Sequence, residues 1–279
     1  MDPGLTVSSL VLLVIALLAA GLLTGFMSGL LGIGGGGILV PVLYETFSAI
    51  GIDPAIRMHL ALGTSLLAIS FTTFKSARSH NARGAVDTEV LKRLGPWVVL
   101  GVVAGIVVAK YSSTSGLKWA WVIFGSLMAA KMAFGRDDWR LGSELPRSRF
   151  VEAFASVVGM ISVLLSIGGG AFMTTMLHAY GRPLLNSVAT SAGFGPMVAI
   201  PGALGFIWAG WGADGLPPLS LGYVSLVGAA AIVPAGLLST SWGVRLAHGI
   251  PRRSLELAFA AFLALVVLRF LASLAGITR

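Results

Sequence analysis

The stretch GLLTGFMSGLLGIGGGGILVPVL, residues 21–43, decides how the chain is read. Within it Gly32, Gly34 and Gly37 fit G-x-G-x-x-G, the pattern of a dinucleotide-binding turn between a strand and a helix. That reading needs a preceding strand and a βαβ unit. Here the glycines follow an apolar run that begins at residue 8. A run of about 24 residues at about 1.5 Å per residue is long enough to cross a hydrocarbon core of about 30 Å as a helix. The glycines therefore stand where a membrane helix breaks.

Composition supports a membrane setting. Of 279 residues, 56% are apolar and 11% charged, with a mean hydropathy of +0.90, whereas ordinary soluble domains carry roughly 25% charged residues. The excess of 19 Lys and Arg over 11 Asp and Glu lies in short gaps between apolar runs. That is the distribution of membrane loops rather than of a nucleic-acid-binding stripe, so no nucleic-acid partner is expected. No cysteine is present, which excludes disulfides, thiolate metal sites and a cysteine nucleophile. His59, His80, His178 and His248 are scattered without a metal-binding spacing, so neither a metal nor a cofactor is expected. The N-terminus lacks the basic region of a secretory signal, and residues 8–31 read as a retained membrane segment.

Ten apolar segments follow one another: 8–31, 37–50, 58–74, 95–110, 118–134, 151–167, 170–180, 184–208, 219–241 and 254–275. Segments 37–50 and 170–180 reach only about 21 and 16 Å as helices, and each follows a glycine cluster. The chain also repeats itself. Residues 25–43 lie on residues 159–177 at a constant offset of 134, matching Ser28 to Ser162 and Ile33-Gly34-Gly35-Gly36 to Ile167-Gly168-Gly169-Gly170. Further on, Thr64-Ser65 falls on Thr190-Ser191. The expected organisation is a first transmembrane repeat over 1–134, a cytoplasmic linker over 135–150 and a second repeat over 151–279.

Lys and Arg collect in gaps 75–94, 135–150 and 242–253, while gaps 51–57 and 209–218 are poor in them. Gap 111–117, flanked by Lys110 and Lys118, departs from the alternation. By the positive-inside rule, corresponding segments of the two halves then point in opposite directions, which defines an inverted repeat. The fold class is all-α: a polytopic membrane protein of two inverted repeats, each of about five helical segments, with glycine-broken helix hairpins.

Broken backbone within a bilayer must be buried in protein or line a cavity, so the two breaks are expected to meet around a common cavity near the midplane. Helices beginning with Gly34, Gly35 and Gly36 and with Gly168, Gly169 and Gly170 offer free N–H groups and a positive dipole end to an anion. Thr64, Ser65, Thr190 and Ser191 add hydroxyl donors. The plainer alternatives are tight helix packing for the glycines, strongest for Gly21, Gly25 and Gly29 with their G-x-x-x-G spacing, and back-bonding to the preceding turn for the hydroxyls. Glu45 and His59 are candidate proton carriers, or else interfacial residues. Lys131 and Arg269 can snorkel to water, Trp208 and Trp211 suit an interfacial belt, and Phe194, Phe206 or Trp208 could wall the cavity. The basic loop 75–87 could draw anions to the cytoplasmic mouth.

The run GLLGIGGGGILVP (29–41), its second copy VLLSIGGGAFM (163–173), the GTS and ATS elements and the ARGAVD loop end (82–87) together resemble the sulfite exporter TauE/SafE family. The resemblance covers roughly residues 10–275. It implies a multi-pass transporter of the bacterial inner membrane that carries small sulfur-containing anions such as sulfite, sulfoacetate and other organosulfonates, often as an exporter. The second copy has Ser166 in place of Gly32 and Thr175 in place of Pro41, so the halves need not contribute equally. The expected partners are the small anion and the lipid bilayer. The rival readings are a passive anion channel and an intramembrane hydrolase using Ser28 or Ser65 with His59; the latter lacks a G-x-S-x-G elbow.

Overall fold

A computed structural model describes residues 7–31, 35–135, 140–246 and 252–277. The elements run α1 (Val7–Leu31), α2 (Gly36–Ala49), α3 (Pro54–Asn81), α4 (Thr88–Tyr111), α5 (Thr114–Phe134), α6 (Arg149–Leu165), α7 (Gly170–Ala179), α8 (Leu184–Ala209), β1 (Ser220–Leu221), β2 (Val224–Ser225), α9 (Leu226–Leu246) and α10 (Arg252–Leu274). Seven helices, α1, α3, α4, α5, α8, α9 and α10, are long and apolar enough to cross a bilayer. The other three, α2, α6 and α7, reach about 21, 25 and 15 Å.

Helix boundaries outrun the apolar segments wherever a cap lies beyond them. Asp53 caps α3, accepting from the Ala55 N–H at 2.8 Å, with Pro54 at the first helical position. Asp87 likewise caps α4 through the Val90 N–H, so that helix starts seven residues before the expected 95. The segment expected at 219–241 is divided. Leu219 and Gly222 adopt positive φ, and residues 220–225 form a two-stranded hairpin before α9 begins. The hairpin is seated on the end of α8, where the Tyr223 N–H donates to Phe206 O at 3.1 Å.

The two halves are built into each other. Helix α4 of the first repeat packs on α6 and α8 of the second, and α9 of the second packs on α1 and α3 of the first; α3 meets α8, and α5 meets α10. Exchanging α1–α5 for α6–α10 leaves this pattern unchanged, which is the signature of a two-fold repeat. Its inversion is visible in where the hairpins open. The end of α2 lies with the end of α10, through Glu45 and Arg269, and with the start of α3, through Ser48 and Arg57. That face also holds the ends of α4 and α8, since His59 meets Ala109 and Lys110 lies over Trp208. The end of α7 lies on the opposite face, beside loop 140–148, where the Leu141 N–H donates to Ala179 O at 2.8 Å. That second face carries the basic gaps and is called the basic face below.

Lys110 and Lys118, the exceptions to the charge alternation, are both held locally. Lys110 Nζ sits 3.6 Å from the centre of the Trp208 ring. Lys118 is buried, donates to Ser273 Oγ at 2.9 Å and lies 4.7 Å from the Tyr44 ring. Arg269 is ion-paired with Glu45 rather than only reaching to water. Large apolar side chains such as Leu12, Leu100, Leu127, Leu204 and Leu265 are more than half exposed, as lipid-facing residues are.

Glycine makes the inter-repeat contacts possible. A Cβ at Gly25 would overlap the Gly236 carbonyl oxygen, and one at Gly21 would lie 2.6 Å from Ile232 O. In the equivalent α4–α6 contact, Gly101 and Gly159 press against the Ser156 and Val98 carbonyls. Packing is therefore the role of Gly21, Gly25 and Gly29. Gly25→Val should lower the unfolding temperature of the purified protein by several degrees or abolish folding, because overpacking against backbone costs about 1–3 kcal/mol or more. Gly116→Ala, whose new methyl would make ordinary contacts with Ser113 Oγ at 3.5 Å and Ser112 Cβ at 3.8 Å, should be neutral or stabilising in the same thermal melt. Equal losses in both variants would refute the close-approach account.

Candidate functional site at the two glycine breaks

The chain doubles back at each break. At the first, the Thr24 hydroxyl of α1 donates to Gly35 O at 3.2 Å. Gly35 caps α2 with φ 72° and Gly169 caps α7 with φ 71°, the same left-handed turn at equivalent positions. Such a turn favours glycine, and at Gly35 space also demands it, since a Cβ would lie 2.5 Å from Thr24 Cγ2. Gly169 is less confined, its nearest neighbour being Ser162 Oγ at 3.4 Å. The first N–H groups of α2 and α7 have no acceptor within their own helices and carry the positive dipole end.

The breaks were expected to meet around a common cavity; the structure brings Gly36 and Ser166 into direct backbone contact. A Cβ at Gly36 would overlap the carbonyl oxygen of Ser166. Ser166 ends α6 in the left-handed conformation, φ 55°, where a side chain costs about 1–2 kcal/mol. Three cavities along the described residues lie elsewhere, and of the expected site residues only Thr190 lines one of these three. Gly34 lies outside the described residues. Gly35, Gly36, Gly168, Gly169 and Gly170 are all buried.

The Thr-Ser pairs divide their work. Thr64 accepts the Ser225 N–H at 2.9 Å, and Thr190 accepts the Asp87 N–H at 2.9 Å. Ser225 and Asp87 cap α9 and α4, so each threonine anchors the start of a helix from the opposite repeat. Ser65 and Ser191, the next residues, are fully buried, and neither hydroxyl has a hydrogen-bond partner among the described residues. The same holds for Ser28, Ser162 and Ser166. A buried hydroxyl without a partner costs about 1–3 kcal/mol. Here the unpartnered hydroxyls include two repeat-related pairs, Ser28 with Ser162 and Ser65 with Ser191. Ser162 Oγ lies 3.4 Å from the Cβ position of Gly169 and Ser166 Oγ 3.3 Å from that of Gly36, and neutral hydroxyl donors can share the oxygens of a small oxyanion without fixing a counter-charge in the membrane.

Ser28, Ser162 and Ser166 were not among the site residues expected from sequence. The repeat alignment already set Ser28 on Ser162; what it could not show was that both hydroxyls end up without partners. Phe194 and Phe206 are fully buried, while Trp208 is 53% exposed and faces outward. The segment 75–87, helical in α3 as far as Asn81, is less open to anions than expected: Lys75 donates to Leu237 O within α9, and Arg83 donates to Val244 O in the last turn of α9.

The candidate proton carriers are differently placed. Glu45 is held by Arg269 at 3.0 and 3.1 Å. His59 is buried, its ring 4.9 Å from that of Tyr223. Its Nε2 lies 3.1 Å from both Ala109 O and Ser112 O, so that nitrogen carries the hydrogen, while Nδ1 has no partner among the described residues. Neither Ser28 nor Ser65 is hydrogen-bonded to His59, and the dyad required by a serine hydrolase is not assembled.

Comparison with known proteins agrees with this architecture. A "Probable membrane transporter protein" of Haemophilus influenzae is 31% identical over 257 residues, covering 90% of this chain and 95% of that protein. Another probable membrane transporter protein, from Methanocaldococcus jannaschii, is 24% identical over 261 residues, covering 90% and 93%. No solved structure matches significantly. The family pattern "Sulfite exporter TauE/SafE" matches residues 17–270, spanning both glycine breaks and all four anchoring and unpartnered hydroxyls of the Thr-Ser pairs, and this multi-pass membrane protein belongs to that family of transporters.

Proposed function

We propose that the chain moves small sulfur-containing anions, sulfite or organosulfonates such as sulfoacetate, by alternating access between the two glycine hairpins. It works as an exporter in a bacterial inner membrane with the basic face toward the cytoplasm. The observation that carries this reading is the set of repeat-related, buried hydroxyls without partners among the described residues, Ser28 with Ser162 and Ser65 with Ser191, of which Ser162 Oγ lies 3.4 Å from the Cβ position of Gly169 at the start of α7. An oxyanion between them would supply the missing acceptors. The backbone contact of Gly36 with Ser166 fits an occluded arrangement, in which the hairpins have closed on each other.

The division between anchoring threonines and unpartnered serines yields opposite outcomes for neighbouring residues. Ser65→Ala and Ser191→Ala should fold as well as the parent, or better, but lose most of the thermal shift produced by sulfite or sulfoacetate, since only a ligand bound to the folded state raises stability. Thr64→Val and Thr190→Val leave a buried N–H without its acceptor and should lose about 1–3 kcal/mol of stability. A thermal-shift titration of the four variants decides the matter: serine variants that keep the full shift would rule out the hydroxyl site.

Coupling to the proton gradient is assigned to His59 rather than to Glu45, whose carboxylate is occupied by Arg269. A proton taken up at His59 Nδ1 needs an acceptor that the present arrangement lacks, which would tie protonation to a movement of the α4 end. Transport into proteoliposomes should therefore respond to an imposed pH gradient, and His59→Gln should lose that response while retaining exchange. Identical rates with and without the gradient would exclude coupling, and flux that never saturates would identify a channel.

A further inference from the structure

On the basic face a cavity of about 270 Å³ reaches inward to Thr190, and Asp87, Arg182, Asn186 and Ser187 are among its walls. A wider one of about 1030 Å³ lies outside it, rimmed by Lys92, Arg93 and Arg147 against Glu89, Glu144 and Glu152. Arg182, Val90 and Pro183 line both. Arg182 thus stands at the neck between a surface vestibule and the polar residues of α8.

The backbone of Arg182 is fixed: its N–H donates to Leu177 O at 3.2 Å, and its carbonyl lies 2.9 Å from His178 Nδ1. Among the described residues the guanidinium is ion-paired with Asp87, 2.9 Å from Oδ2, with side-chain exposures of 47% for Arg182 and 23% for Asp87. Asp87 is committed on three sides, through Oδ2 to Arg182, through Oδ1 to the Val90 N–H, and through its own N–H to Thr190. A half-exposed pair of this kind is readily exchanged for another anion, and of the two partners the arginine is the one free to move.

We propose that the inner cavity is a receiving site for a small oxyanion, in which Arg182 exchanges the Asp87 carboxylate for the anion's oxygens. That exchange loosens the Asp87 contact that pins the start of α4 to Thr190 of α8. The planar guanidinium suits bidentate contact with a sulfonate or sulfite, and the Asn186 amide lies on the same wall. At the equivalent anchor on the opposite face, Ser225 stands where Asp87 does, uncharged and buried beside Thr64, so the Asp87–Arg182 pair has no repeat-related counterpart there. This inference rests on the anion-transport reading and supplies it with a specific loading step.

The chain contains no cysteine, so Asn186→Cys places a single thiol in the cavity. In the purified protein it should react faster with an anionic sulfonatoethyl methanethiosulfonate than with its cationic trimethylammonium analogue. Adding Arg182→Gln should cut that preference on the order of tenfold, the scale of field focusing in clefts, whereas Asp87→Asn, which keeps a good cap, should raise it. Sulfate should slow the anionic labelling only while Arg182 is present, and Arg182→Lys should retain the preference, separating charge from folding. A preference unmoved by Arg182→Gln, or sulfate protection that survives it, would overturn the proposal. Because labelling needs no transport, a charge-selective cavity in a protein that carries no sulfur anion would leave this site standing and remove the transport reading; transport without the preference would do the reverse.

Discussion

A peptide N–H left without an acceptor in hydrocarbon costs several kcal/mol, and the whole arrangement depends on how two such interruptions are housed. The chain breaks at Gly35 and again at Gly169, in the same left-handed turn. Gly35 and Gly169 are both buried, and the long arms leading into the breaks, α1 and α6, pack on α9 and α4 of the opposite half. The α1–α9 and α4–α6 contacts are close enough that carbonyl oxygens occupy the space of missing Cβ atoms. The interlocking is thus a consequence of the breaks: a half standing alone would expose the backbone that its partner covers.

Thr64 and Thr190 extend the same logic. Each accepts an N–H at the start of a helix from the other repeat, and a helix start is where N–H groups lack internal acceptors. A hydroxyl that accepts in this way keeps its own hydrogen to donate, so an anchor can also face a ligand. The serine beside each threonine has no such duty. One dipeptide therefore carries two functions, holding the helix start and presenting a free donor, and it does so in both halves.

The fold was largely legible in the chain. Short apolar segments after glycine clusters, the constant offset between the halves and the alternation of basic gaps led to inverted hairpins without any contact being known. What could not be read lay in polar details that apolarity does not register. The helix starts at Pro54 and Thr88 are set by Asp53 and Asp87, outside the apolar runs. The hairpin at 220–225 follows from positive φ at Leu219 and Gly222, which an apolar count treats as helix. Within the site, hydroxyl and glycine positions were legible because they repeat, whereas the split between anchored threonines and unpartnered serines depends on which side of α3 and α8 each residue faces.

Departures from the repeat indicate where the two faces of the molecule differ. Thr24, which ties the first break, is matched by Val158, so the second hairpin lacks the hydroxyl that holds Gly35. Gly32 is matched by Ser166, which bears a side chain in a left-handed turn and turns its carbonyl toward Gly36. Asp87 is matched in position by Ser225, so one face anchors its helix start with a partly exposed, charged residue and the other with a neutral residue buried under a hairpin. A perfectly symmetric inverted repeat would present the same barrier to a ligand from either side. Each of these substitutions removes that equivalence, and since they fall on the two breaks and on one anchor, they bear on the elements that must move. The direction of transport is therefore to be sought in these three positions rather than in the glycines, which both halves share.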